Sequence, residues 1–268
     1  MSETRIGFLG AGQMATALAQ GIVEAGLVAA GAVRAADPVE QARNRFAAIL
    51  PQALLTADNR EVARGADVLV LAVKPPLAAG VLEGIRSEAE GKLIVSVAAG
   101  VRLAQLEAAC RARMVRVMPN TPCLVGLGAS AYALGSEATE EDGRFVERML
   151  AAVGHAWPVP ERLLDAVTGL SGSGPAFVYT VIEALSDGGV AMGLPRELAQ
   201  ALATQTVRGA AEMVLRTGEH PAVLRDRVAS PGGTTITGLA ALENGRVRAS
   251  LIEAVGAATR RSIELGEE

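Results

Sequence analysis

The sequence Gly10-Ala-Gly12-Gln-Met-Ala15 separates a short apolar run, Ile6–Leu9, from a segment of helical spacing over residues 13–25. Each small residue has a steric reason to be there. Gly10 permits a tight turn, Gly12 lets the backbone approach a ligand, and Ala15 lets a helix pack closely on a strand. Gly26 stands just past the helix, where a left-handed residue closes a C-terminus. A strand that turns directly into a helix must return to start its next strand in parallel. Further buried-strand runs occupy Val33–Ala36 and residues 68–73, 93–97 and 114–118, with helical patterns between most of them. The alternation predicts a parallel sheet covered on both faces, with ligands at the carboxyl ends of its strands.

After about residue 160 the pattern changes to Ala-, Leu- and Val-rich helical stretches at 175–192, 196–215 and 246–265, with no strand among them. The expected division is therefore 1–160, a cofactor-binding α/β domain, and 161–268, an all-α domain, meeting at the proline-marked segment His155–Glu161. Only 3% of residues are aromatic although 50% are hydrophobic, so the helices must pack through small aliphatic side chains. Their apolar positions lie on more than one face, more than roughly a hundred residues can bury alone, which predicts a second subunit.

A formal charge of −4 with interspersed signs gives no basic stripe, so no nucleic-acid partner is expected. No apolar run reaches membrane-spanning length and no secretory signal is evident, which makes the cytoplasm the expected compartment. The 2 cysteines, Cys110 and Cys123, form neither a disulfide framework nor a metal motif, and the 2 histidines, His155 and His220, lack metal-ligand spacing. No metal is expected.

Asp37, at the end of the second strand, suits hydrogen bonds from ribose hydroxyls, or an N-cap with Pro38 in the first helical position. Lys74, in Ala72-Val-Lys-Pro75, follows a buried strand and faces either the cleft or solvent. Asn120 and Thr121 sit in a proline-braced loop suited to orienting a nicotinamide or simply to turn chemistry. In Ser230-Pro-Gly-Gly-Thr-Thr-Ile236, two glycines admit a ligand and the threonines start a helix whose free N–H groups favour a carboxylate; an ordinary helix-start turn reads the same way.

Gly10-Ala-Gly-Gln-Met14, Ala72-Val-Lys-Pro75, Ala98-Ala-Gly100, Pro119-Asn-Thr-Pro122, Leu170-Ser-Gly-Ser-Gly-Pro-Ala176, Asp187-Gly-Gly-Val-Ala-Met-Gly-Leu-Pro195 and Ser230–Ile236 occur in this order, followed by Leu239, Leu242 and Glu243. This ordered set closely resembles the pyrroline-5-carboxylate reductase family. The resemblance implies a Rossmann-type dinucleotide-binding domain followed by an all-α dimerisation domain. It further implies reduction of 1-pyrroline-5-carboxylate to L-proline by NADPH or NADH, and a homodimer able to assemble into a larger ring of dimers. By the same resemblance Gly10, Ala11, Gly12, Gln13, Met14, Asn59, Ala72, Val73, Lys74, Pro75, Val97, Ala98 and Ala99 contact the cofactor, joining Asp37 and Asn120. Glu161, Gly233, Thr234 and Thr235 line the substrate site, with the Thr235 hydroxyl near the ring nitrogen. Asp37 and Arg227 depart from the family, standing where some members have a serine or threonine and an asparagine, which leaves the choice of nicotinamide cofactor open. The competing functions are a reductase of another imine or of a β-hydroxy acid, and a non-catalytic dinucleotide sensor. The β-hydroxy-acid enzymes need a lysine in the helical domain, and none follows Lys92.

Overall fold

The computed structural model describes residues 4–266. The chain divides into two compact units, one running to Ser173 and including the residues from Ala257 onward, the other Gly174–Gly256.

The first unit is built on an 8-stranded sheet, ordered β3-β2-β1-β4-β5-β6-β7-β8. Its strands are β1 (Ile6–Leu9), β2 (Val33–Ala36), β3 (Leu54–Thr56), β4 (Val68–Leu71), β5 (Leu93–Ser96), β6 (Arg113–Met118), β7 (Gly128–Leu134) and β8 (Gly154–Pro158). Helices α1 (Gln13–Glu24), α2 (Glu40–Ile49), α3 (Asn59–Gly65), α4 (Ala78–Gly84), α5 (Leu103–Ala109), α6 (Glu140–Ala151) and α7 (Leu164–Val167) connect and follow them. β1, β4 and β5 are buried at every position, as continuous apolar runs are when helices cover both faces. Alternate side chains feed two cores. Ile6, Phe8, Val33, Val70 and Val95 join Leu18, Ile22, Phe46 and Leu150 in one. Leu9, Leu69, Leu71 and Ile94 join Val62, Leu82, Ile85 and Leu106 in the other.

The five strands expected from the sequence, β1, β2, β4, β5 and β6, are all parallel; beyond them β7 runs antiparallel to β6, and β8 then pairs parallel with β7. The link between β6 and β7 is a short turn around the 3-10 segment Thr121–Val125, too brief for the crossover that a parallel return requires. The strand ends also differ slightly, β4 closing at Leu71 and β5 at Ser96, but Ala72 and Val97 continue the pattern by donating to Leu9 O at 2.9 Å and Leu71 O at 3.0 Å.

The second unit contains α8 (Gly174–Ala191), α9 (Arg196–Thr217), α10 (Pro221–Arg227), α11 (Thr234–Asn244) and the start of α12 (Val247–Leu265). α8 and α9 meet through small residues, a side chain added at Gly189 lying 3.2 Å from the Ala199 methyl. Among the described residues of this unit the buried hydrophobic side chains are Ala199 and Ala203. Tyr179, Met192, Leu198, Leu202, Leu215 and Ile252 are exposed.

Candidate active site

The carboxyl ends of β1, β2, β3 and β4 surround a cavity of about 780 Å³ lined by Gly10, Gly12, Asp37, Asn59, Val73 and Lys74 among others. Gly10 has φ +100°, and an added side-chain carbon would lie 2.7 Å from Ala72 O, so this position is closed to other residues on both counts. Gly12, the N-cap of α1, has no atom within 4 Å of that added carbon. Its open side faces the cavity at a helix N-terminus, where a phosphate meets free N–H groups. Ala15 is fully buried beneath the turn. These features fit the pyrophosphate of a dinucleotide.

Asp37 is tied into this loop. Its Oδ2 accepts the Ala11 N–H at 3.0 Å and its Oδ1 the Val39 N–H at 2.9 Å, while Gly10 N donates to Ala36 O at 2.8 Å. The N-cap reading of Asp37 is corrected, because α2 begins at Glu40 with Val39 as its N-cap. The carboxylate instead closes an Asx turn two residues on, a local bond that competes with capping. Asn59 opens α3, whose N-cap Asp58 accepts from Arg60 N at 2.8 Å. Lys74 is exposed and precedes the turn Pro75–Leu77. Ala98 is buried beyond β5, and Val97 and Ala99 flank it.

Asn120 is buried, and both ends of its amide are engaged: Nδ2 donates to Ser171 O at 3.1 Å and Oδ1 accepts from Ala129 N at 2.9 Å. It braces the β6–β7 turn against the segment Thr168–Gly172. Glu161 Oε1 accepts from Leu103 N, the first residue of α5, at 2.7 Å, and from the Arg116 guanidinium at 2.9 Å. Arg116 leaves no signal in the sequence because it lies within the apolar run 114–118. Its side chain is 5% exposed, so the ion pair with Glu161 is what makes a cation tolerable there.

Gly233, Thr234 and Thr235 belong to the second unit. Gly233 is the N-cap of α11 with no side-chain cap, and its N–H donates to Ser230 O at 3.0 Å. Gly232 has φ +64°, and a side chain on Gly233 would collide with Ser230 Oγ. Thr235 is half-buried and Thr234 exposed, and among the described residues neither hydroxyl has a hydrogen-bond partner. Arg227 is held in a two-pronged pair with Glu219. His220 caps α10 through Nδ1, which accepts from Ala222 N at 3.2 Å.

A family model described as pyrroline-5-carboxylate reductase dimerisation matches residues 161–265, and one described as NADP oxidoreductase coenzyme F420-dependent matches residues 5–100. The chain is 50% identical to a pyrroline-5-carboxylate reductase of Glycine max over 97% of its own length and 95% of that protein's.

The chain belongs to the pyrroline-5-carboxylate reductase family.

Solved structures agree. A pyrroline carboxylate reductase of Plasmodium falciparum, crystallised with NADP bound, is 36% identical with a TM-score of 0.90, covering 99% of each chain. A pyrroline-5-carboxylate reductase of Coxiella burnetii is 34% identical with a TM-score of 0.91, covering 98% of this chain and 99% of that one. The chain thus has the family's architecture, a dinucleotide-binding α/β unit and a helical region of the dimerisation type. Among the described residues no helix is long and apolar enough to cross a membrane.

Proposed function

We propose that this protein reduces 1-pyrroline-5-carboxylate to L-proline with NADPH or NADH. Membership of the family carries the reading, and the glycine loop at the mouth of a dinucleotide-sized cavity supports it. A bound reduced nicotinamide supplies the hydride. The chain's own residues have to position and neutralise. The N–H groups of Gly12 and the first turn of α1 receive the pyrophosphate, and Asp37 the adenosine ribose. The Ala72–Pro75 and Val97–Ala99 segments wall the cofactor. The opening amides of α11 at Thr234 and Thr235 receive the substrate carboxylate, and Glu161 is the substrate-binding residue we assign to the first unit.

A protonated ring imine is already a strong hydride acceptor, so holding it in line supplies about 7 kcal/mol or more of the barrier. The Thr235 hydroxyl accepts from or donates to the ring nitrogen as its charge changes, and is not required to be an acid. The functional division we propose lies between residues 1–160 and 161–268, with a homodimer that can assemble into a ring of dimers, in the cytoplasm and without nucleic acid. The test is nicotinamide oxidation by the purified protein with pyrroline-5-carboxylate against other cyclic imines, keto acids and β-hydroxy acids. Turnover confined to pyrroline-5-carboxylate supports the reading. No turnover despite tight dinucleotide binding would favour the sensor instead.

A further inference from the structure

We infer that the cofactor cavity selects the unphosphorylated adenosine ribose, so that NADH binds more tightly than NADPH, and that Asp37 is the selecting residue. The inference rests on the nicotinamide-dependent reading above. The charged residues lining the cavity are Asp37, Asp58, Arg60 and Lys74, two acids against two bases. The acids sit on neighbouring strand ends, joined where Asp37 N donates to Thr56 O at 3.2 Å. A site for a 2′-phosphate, which carries about −1.5 to −2 charges at neutral pH, needs a surplus of cations. This wall has none.

The geometry of Asp37 sharpens the point. Each carboxylate oxygen accepts one backbone N–H, from Ala11 or Val39, which fixes the plane of the group. Each oxygen keeps a further lone pair, so the carboxylate can accept from the two hydroxyls of a ribose. A 2′-phosphate in place of one hydroxyl removes that donor and adds like charge.

Of the nearby arginines, Arg43 and Arg60 are held by backbone carbonyls, and Arg34 and Arg45 do not line the cavity. Arg43 donates to Asp37 O at 2.6 Å and to Pro38 O at 3.2 Å. Arg34 lies flat on α3, its Cζ 2.7 Å from where a side chain on Gly65 would begin, and it borders a separate small hollow with Leu54, Thr56 and Glu61. Arg60 directs its Nε to Gly84 O at 2.7 Å. Arg45 is exposed on α2 and does not line the cavity.

The experiment is direct titration of the full-length protein with NADH and NADPH, followed by nicotinamide fluorescence with no imine present, at low and high salt. The expected result is NADH tighter by about tenfold or more, a gap that narrows as salt screens the repulsion. Asp37→Ser, which removes the carboxylate, and Asp37→Asn, which keeps a carbonyl for one of the two amides, should both close the gap by tightening NADPH. Equal or tighter NADPH binding by the wild type would overturn the inference. So would variants that weaken both cofactors alike, since Asp37 would then be only a strut for the glycine turn. Selective NADH binding without imine reduction would sink the proposed reaction and leave this inference standing; imine reduction without selectivity would do the reverse.

Discussion

Two glycines in one loop make opposite predictions. Gly10→Ala forces a side chain into a left-handed conformation and against Ala72 O, which should cost about 1–3 kcal/mol of stability. Gly12→Ala adds its methyl to open space, so the melting temperature should hold while cofactor affinity falls. Calorimetry and dinucleotide titration on both variants separate the roles; a destabilised Gly12→Ala would mean that the position is structural. For the chemistry, Thr235→Ala should lower turnover about ten- to a hundredfold, a loss of ~1–3 kcal/mol, in a protein that still folds. Unchanged kcat would remove that hydroxyl from the mechanism. The glycines are legible as turn and helix-start residues, and the threonines as the opening of a helix, because their spacing carries steric information. Asp37 is legible as a residue at the cavity-facing end of β2 but not as a latch on Ala11, because a contact between residues 26 apart leaves no local trace. Asn120 reads equally as a ligand contact or a turn residue, because its bonds to Ser171 and Ala129 leave no local trace either.

At the scale of elements, the pair Arg116–Glu161 ties β6 to the segment Glu161–Leu163, and Glu161 also accepts from the first residue of α5. Removing Glu161 leaves a buried guanidinium without its partner, so Glu161→Ala should destabilise by about 3 kcal/mol. Glu161→Ala with Arg116→Met should recover much of that loss. A double variant no better than the single one, by urea unfolding, would show that the Leu103 bond matters more than the charge. At the amino ends of the interior strands β1 and β4, Arg5 donates to Asp67 and holds its carboxyl below the usual carboxylate range. Stability from that shift is present above the ordinary carboxylate pKa and is lost as pH falls through the depressed one. Asp67→Asn should therefore lower the urea midpoint near neutral pH and match the wild type in strong acid, by a small margin because both side chains are half-exposed. The strands that the sequence concealed were β3, β7 and β8. β3 is three residues long and partly exposed. β7 reads Gly-Ala-Ser-Ala-Tyr-Ala-Leu, poor in the β-branched residues that advertise a strand. β8 is half-exposed at the sheet's edge and ends in proline.

For the whole molecule, the change from alternating to purely helical pattern was plain in the sequence, and so was the excess of apolar surface that comes with it. The second unit buries Ala199 and Ala203 while Tyr179, Met192, Leu198 and Leu202 lie open. Large exposed apolar faces of this kind are interface surface. Sedimentation should find a dimer or larger assembly at every concentration that retains activity, and the melting temperature should rise with protein concentration. A stable, active monomer would contradict both.

That same open face governs the protein's life before assembly. A newly synthesised chain carries helices whose oily side has nothing to rest on, so encounters with unrelated chains compete with the right one until a partner arrives. Synthesis that outpaces assembly should therefore leave more of it in inclusion bodies or on chaperones than its finished stability suggests. Co-production with a faulty copy should also drag sound subunits into mixed assemblies, so that one damaged allele lowers activity by more than its own share.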